Sequence, residues 1–197
     1  MSNDDREVKV GEKIKELRED MALSLDELAK RSGISPAMLS QIENHMISPP
    51  LGTLIKIARG LGIDAGAFFR SEKEGQPFSL VRHNERKRVS RVASKEGINY
   101  GYEYESLGYD FANRRMEPFF ITLKPSPFED KGLSTHDGEE FIFVLEGKMD
   151  LVLGDHKDVL EPGDSIYYKS TIPHRVGAHG DQETKILAVL ITSEEYV

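Results

Sequence analysis

The hydrophobic period of this chain changes once, and no single kind of regular structure accommodates both halves. Upstream, Val10, Ile14, Leu17 and Met21 recur at spacings of four, three and four, one stripe of an amphipathic helix. From residue 78 onward the apolar residues alternate instead. A helix brings side chains to one face about every 3.6 residues and a strand every two, so a pattern written for one cannot face a core as the other. The sequence therefore predicts an α+β chain of two domains. An all-α domain spans 1–70 and an all-β domain spans 79–197, joined by a linker at 71–78, SEKEGQPF, which holds Gly75 and Pro77.

The first half contains stop and start signals for five helices. Ser24-Leu25-Asp26-Glu27 is a capping box, in which the serine hydroxyl takes the amide of Glu27 and the glutamate reaches back. Leu25, Leu28 and Ala29 give that helix a short buried face, and Gly33 lies in the turn that follows. Ser35-Pro36 opens the third helix as N-cap and first residue, with Met38, Leu39 and Ile42 inward. After Pro49-Pro50, a fourth helix places Leu51, Leu54, Ile55, Ala58 and Leu61 together, and Asp64 caps a short fifth ending at Phe68-Phe69.

The second half reads as strands: FSLVR (78–82), INYGYEYESL (98–107), EPFFITL (117–123), EEFIFVL (139–145), KMDLVL (148–153), DSIYY (164–168) and ETKILAVLI (183–191). Turn signals at Asp137-Gly138, Gly154-Asp155 and Pro162-Gly163 separate them. Many short strands at this spacing predict a sandwich or barrel.

Charge divides along the same boundary. The whole chain carries −8, which on its face disfavours a nucleic-acid partner. Residues 1–70 hold ten Lys and Arg against eleven Asp and Glu, whereas residues 96–197 hold nine against twenty. The acidity belongs to the β half, so the helical half remains able to approach phosphates. With no cysteine, disulfides and thiolate metal sites are excluded. No apolar run reaches membrane-spanning length and MSNDDREVKV lacks a signal-peptide core, so the expected location is the cytoplasm, with no membrane partner.

Two short helices joined by a glycine turn fit a helix-turn-helix, though periodicity alone equally allows a bundle used for packing or dimerisation. The letters LSLDELAKRSGISPAMLSQIENHMISPPLGTLIKIARGLGI resemble the lambda-repressor-like (XRE-type) helix-turn-helix family, over roughly residues 8–69. The resemblance implies a double-stranded DNA operator as partner and residues 36–45 as the recognition helix in its major groove. It places Pro36, Ala37, Ser40 and Gln41 toward the bases. Gln41 has the chemistry to pair with adenine, and Ala37 or Met38 to touch a thymine methyl. Ser24, at the start of the second helix, Ser35 and Asn44 fall where phosphates are held. Ser35 and Asn44 read equally as helix caps, and Glu43 as a tie between helices. One departure stands out: where the family often has glycine after Glu-Asn, this chain has His45, and the third helix is expected to run on slightly.

In the β half, Gly132, His136-Asp-Gly-Glu-Glu140 and Gly147, followed by Leu160-Glu-Pro-Gly-Asp164 and Ile-Pro-His174, resemble the two motifs of the cupin family over about residues 96–192. The resemblance implies a double-stranded β-helix barrel with a ligand or metal site in its mouth. Metal-binding cupins usually carry two histidines separated by one residue in the first motif; here Ser134 stands in the first of those positions. His136, Glu140 and His174 remain, two imidazoles and a carboxylate that suit a divalent Fe, Mn, Ni or Zn. A two-residue hairpin at Asp137-Gly138 would set Glu139 across from His136, whereas a three-residue loop brings Glu140 to its side. The family pattern favours Glu140, with Ile142 and Val144 inward and Phe141, Phe143 and Leu145 outward. The alternative is a metal-free organic-ligand pocket in which His174 simply hydrogen-bonds Glu140.

A small-molecule effector is expected in the barrel, with Tyr102, Tyr104, Arg114 and Ser134 as candidate contacts. The tyrosine stripe also reads as core or as a dimer interface, and Arg114-Arg115 as salt bridges. The basic run RHNERKRVSR (82–91) reads as flanking phosphate contacts or as an edge strand guarded by charge. Together these features predict a transcriptional regulator, a repressor, that dimerises through its barrel. The alternative is a mononuclear metal-dependent cupin enzyme, epoxidase- or oxygenase-like, that carries a helix-turn-helix domain.

Overall fold

The computed structural model describes residues 10–47, 49–63, 65–69, 77–90, 102–111, 114–125 and 132–191; most of the expected linker, and Tyr100, lie outside them. The helical head consists of α1 (Val10–Asp20), α2 (Leu25–Ser32), α3 (Pro36–Glu43) and α4 (Leu51–Leu61), then a 3-10 turn at Ala65–Phe69. The expected fifth α-helix is thus a 3-10 segment. Five residues are too few to repay the cost of α-helix nucleation, and the tighter turn still buries Phe68.

Ile14, Leu28, Leu39, Ile42, Leu54, Ile57 and Phe68 are fully buried and form the core of the head. The capping box at Ser24 forms in both directions, and Gly33, at φ 70°, closes α2 in the left-handed conformation that its missing Cβ permits. Two details depart from the sequence reading. Met21 lies beyond the end of α1, where Ala22 turns the chain at φ 53°, and is exposed; Arg18 is buried on that helix instead. His45 takes the left-handed conformation at φ 55°, and α3 ends at Glu43 rather than running on. The Met46 amide bonds back to the Gln41 carbonyl at 2.8 Å, and this closure outweighs the cost of a side chain at that φ.

Among the described residues the β half has nine strands: β1 (Lys87–Ser90), β2 (Tyr102–Ser106), β3 (Glu117–Leu123), β4 (Glu139–Glu146), β5 (Met149–Leu153), β6 (His156–Leu160), β7 (Ser165–Lys169), β8 (His174–Ala178) and β9 (Thr184–Ile191). They form a six-stranded antiparallel sheet in the order β1-β2-β3-β9-β4-β7 and a three-stranded one in the order β6-β5-β8. Alternation sends Phe119, Ile121 and Leu123 of β3, Ile142 and Val144 of β4, and Ile186, Ala188 and Leu190 of β9 to one shared interior, with Met149 and Leu151 of β5.

FSLVR contains no strand; Phe78 and Leu80 are exposed, and the first strand lies in the basic run instead. β1 is an edge strand there, flanked by Arg86, which bonds Glu105 and lies 4.4 Å over the Phe120 ring. β6 and β8 were not expected from the sequence. Among the described residues no helix is long and apolar enough to cross a membrane.

The head packs on the barrel through α4. The Leu51 amide donates to the Tyr104 hydroxyl at 2.9 Å, and Arg59 pairs with Asp137 at 2.9 Å.

Candidate functional site

Two surfaces bring together the residues singled out in the sequence. On the head, Ser35 caps α3 by accepting the Met38 amide at 3.2 Å, and Pro36 follows as its first residue. One turn later, burial of Leu39, Ile42 and Glu43 fixes the rotation of the helix. That rotation leaves Ala37, Gln41 and Asn44 exposed, with Ser40 half-buried between them: one polar strip along α3. Asn44 folds back, its side-chain amide donating to the Ser40 carbonyl at 2.8 Å. Ser24 is engaged within its own box, where its amide and hydroxyl each reach Glu27 Oε2 at 2.7 Å. Met38 departs from this strip; it is half-buried and turned toward the barrel. Glu43 ties α3 to α1, its two oxygens receiving Arg18 Nε at 2.7 Å and Nη2 at 2.9 Å.

The second surface is the mouth of the barrel. His136 precedes β4, Glu140 points inward from β4, and His174 opens β8; all three are buried. No Asp137-Gly138 hairpin forms, because the chain here pairs with the end of β7: His136 donates its amide to Ser170, and Ser170 donates its own to Gly138. With β4 in that register, Glu139 faces outward to Tyr167 while Glu140, Ile142 and Val144 face the interior. The candidate ligand atoms of His136, Glu140 and His174 lie within 4.8 Å of one another.

The tautomers follow from the hydrogen bonds. Nδ1 of His136 lies 3.0 Å from the Asp137 carbonyl, and Nδ1 of His174 lies 2.8 Å from the Ile172 carbonyl. A carbonyl only accepts, so each Nδ1 carries a proton, which leaves Nε2 as the atom through which either ring can offer a lone pair. His136 Nε2 is 2.7 Å from Glu140 Oε1, yet it is not aligned for a hydrogen bond and has no other partner. His174 Nε2 stands 3.6 Å from the same oxygen. Three lone pairs thus converge in a buried space, an arrangement that repels itself unless a proton or a cation lies between. The donor set fits a divalent cation, with the backbone carbonyls and Tyr168, whose hydroxyl donates to Glu140 Oε2 at 2.6 Å, orienting the ligands from behind.

The titration behaviour agrees. Burial alone would raise the Glu140 carboxyl, but the His136 ring 2.7 Å away, the His174 ring and the Tyr168 hydroxyl hold it below the ordinary range. Burial lowers His174, so its ring favours the neutral, ligating form, against the opposing pull of Glu140.

A cavity of about 290 Å³ opens beside this triad, with Glu140 and His174 in its lining. Tyr102, Tyr104 and Ser134 line it, as do Ile121, Ile142 and Arg175 from the barrel, and Leu51, Gly52 and Lys56 from α4. Burial pushes the Tyr102 hydroxyl up to about 12, and it donates to the Val176 carbonyl at 2.6 Å. Arg114 is not there: its guanidinium is buried against Glu117, with Nε donating at 2.7 Å, because two opposite charges buried three residues apart at the start of β3 satisfy each other first. The sequence reading missed Tyr168 and Lys56. Alternation from Ile166 in DSIYY would have pointed Tyr168 inward, whereas nothing local marks Lys56.

Residues 14–68 match the family model described as "Helix-turn-helix", and residues 119–190 match that described as "Cupin domain". HTH-type transcriptional regulator PuuR of Escherichia coli (strain K12) is 27% identical over 83% of this chain and 84% of its own length. An HTH_3 family transcriptional regulator from Vibrio cholerae is similar in structure, with a TM-score of 0.63 and 28% identity over 94% of this chain and 96% of that one. (S)-2-hydroxypropylphosphonic acid epoxidase of Streptomyces wedmorensis is 26% identical over 90% of this chain and 93% of its own. The FeII HppE crystal structure has a TM-score of 0.50 at 26% identity, covering 93% and 98% of the two chains. The chain is a helix-turn-helix–cupin protein, a lambda-repressor-like (XRE-type) head joined to a cupin barrel.

Proposed function

We infer that this protein is a sequence-specific DNA-binding transcriptional regulator, acting in the cytoplasm as a repressor. The head is assigned to residues 1–70, the linker to 71–78 and the sensing barrel to 79–197. The observation that carries this reading is the solvent-facing strip of α3, where Ala37, Ser40, Gln41 and Asn44 stand clear of the core in a head kept neutral while the barrel holds the acidity. Gln41, whose side chain is exposed on that strip, is the principal base reader; Ser24, Ser35 and Pro36 position the helices against phosphates. A single head makes few base contacts, so useful specificity calls for a homodimer, with the barrel as the joining element and two half-sites on the operator.

The barrel is read as the receptor for a small-molecule effector contacted by Tyr102, Tyr104 and Ser134. A divalent Fe, Mn, Ni or Zn would be held by His136, Glu140 and His174, and would supply Lewis acidity toward an oxygen of that effector.

A second reading, a metal-dependent cupin enzyme, is favoured by one observation: the same triad converges with open space beside it, and a similar protein is an epoxidase. A DNA mobility shift with and without chelator separates the two. Wild-type protein is expected to retard DNA from upstream of its own gene at moderate salt, and Gln41→Ala to flatten its preference among sequences. Indifference to DNA sequence, together with stoichiometric iron and oxygen consumption, would reverse the assignment.

A further inference from the structure

The cavity beside the triad is not enclosed by the barrel alone. Its outer wall is the first turn of α4, which belongs to the DNA-reading head. Three contacts hold that wall in place: the Leu51 amide on the Tyr104 hydroxyl, Arg59 on Asp137, and the backbone of Gly52 against Ser134 and His136. The last is the closest. A Cβ built on Gly52 would overlap Ser134 Oγ and stand 3.1 Å from Cδ2 of the His136 ring. Gly52 is helical, so its backbone conformation does not require glycine; the approach to the barrel does. Ser134 in turn donates its amide to the His174 carbonyl and accepts the His174 amide, so it joins the backbone of His174 to the same turn of α4 that meets the His136 ring.

We propose that the first turn of α4 is a latch: its docking on Ser134 and His136 couples occupancy of the barrel site to the position of the DNA-reading head. The proposal rests on the reading of His136, Glu140 and His174 as a metal site and adds its regulation. Docking excludes solvent from the triad and holds the His136 ring from one side, so the site binds its occupant more tightly when the head is docked. By linkage, an occupant tightens docking by the same factor. Met38, on the flank of the recognition helix, faces the same cavity. Undocking therefore changes the surroundings of α3 and frees the head to reorient.

Gly52→Ala tests this without compromising the head. Alanine is the better helix former, and the substitution strengthens α4 taken alone; only the docked arrangement suffers. Because the chain has no cysteine, Lys30→Cys in the head and Lys157→Cys in the barrel, both exposed, accept spin labels at unique positions in the full chain. Labelled wild type, diluted into an excess of unlabelled protein so that a dimer holds one labelled chain, is expected to show one narrow interlabel distance. Gly52→Ala is expected to lose most of that population and to bind Zn(II), added alone, about tenfold more weakly, a typical size for such coupling. Gly52→Ala/Ser134→Gly, which removes the obstructing hydroxyl, is expected to recover both. An unchanged distance in Gly52→Ala overturns the latch. Undocking with undiminished Zn(II) affinity overturns the coupling and leaves the metal site standing. No Zn(II) uptake by any variant overturns the metal site, and the coupling with it.

Discussion

His45 occupies a backbone position that glycine would take at less cost, and it shows what a sequence does and does not disclose about a single residue. The residue type argued for a longer helix; the closing hydrogen bonds of α3 decided otherwise. Glu43 was legible as a tie because an acidic residue on the buried side of a helix requires a partner. That partner, Arg18, lies in another helix, outside the apolar stripe that marks α1. The pair is nearly dry, with side-chain exposures of 11% and 4%, so removing Glu43 leaves Arg18 with only the Leu23 carbonyl and the Glu19 carboxylate, 3.4 Å away, to offset its buried charge. Glu43→Ala is therefore expected to lower the urea-unfolding free energy of the head by roughly 3–5 kcal/mol. Arg18→Met/Glu43→Leu should recover much of that loss, and a loss below about 1 kcal/mol would show the pair to be dispensable. The choice of Glu140 over Glu139 rested on family pattern alone, because both faces of that strand are apolar and alternation does not decide, and the loop that delivers it was not legible. It depends on bonds from Ser170, thirty residues downstream.

Elements were legible where their pattern was strong. The helix starts at Ser24 and Ser35 and the strands β3, β4 and β9 follow from caps and alternation alone. β6 was illegible because it is solvated on both faces, with only Leu160 buried, and its pairing with β5 alone makes it a strand. β8 was illegible because Gly177 and two polar residues break its alternation. The capping box of α2 yields a pH prediction. Bonds from the Ser24 amide and hydroxyl hold the Glu27 carboxyl below its ordinary value. A group whose value is depressed on folding contributes stability above its unfolded value, here about 4.3, and loses that contribution as pH falls through the lower folded value. The gap in melting temperature between wild type and Glu27→Gln should thus be constant above about pH 5 and narrow below pH 4. A gap that widens on acidification would mean the carboxylate is not the capping form.

At the scale of the molecule, fold and domain order were readable because each half repeats its own period many times. The cavity was not, since it is made by α4 meeting the barrel across a long stretch of chain, and no local pattern records that meeting. Assembly gives a further prediction: light scattering at micromolar concentration should return twice the chain mass of 22.2 kDa. A monomer that still selects its operator would contradict a two-half-site mode of reading.

The order of strands has one more consequence. β9, the last strand among the described residues, lies in the middle of the six-stranded sheet, between β3 and β4. A ribosome delivers the head first, and at about 5–20 residues per second β9 follows α4 by on the order of ten seconds. Through that interval β3 and β4 wait with open edges beside a finished head. During synthesis the reader of DNA is therefore complete before there is a barrel to restrain it.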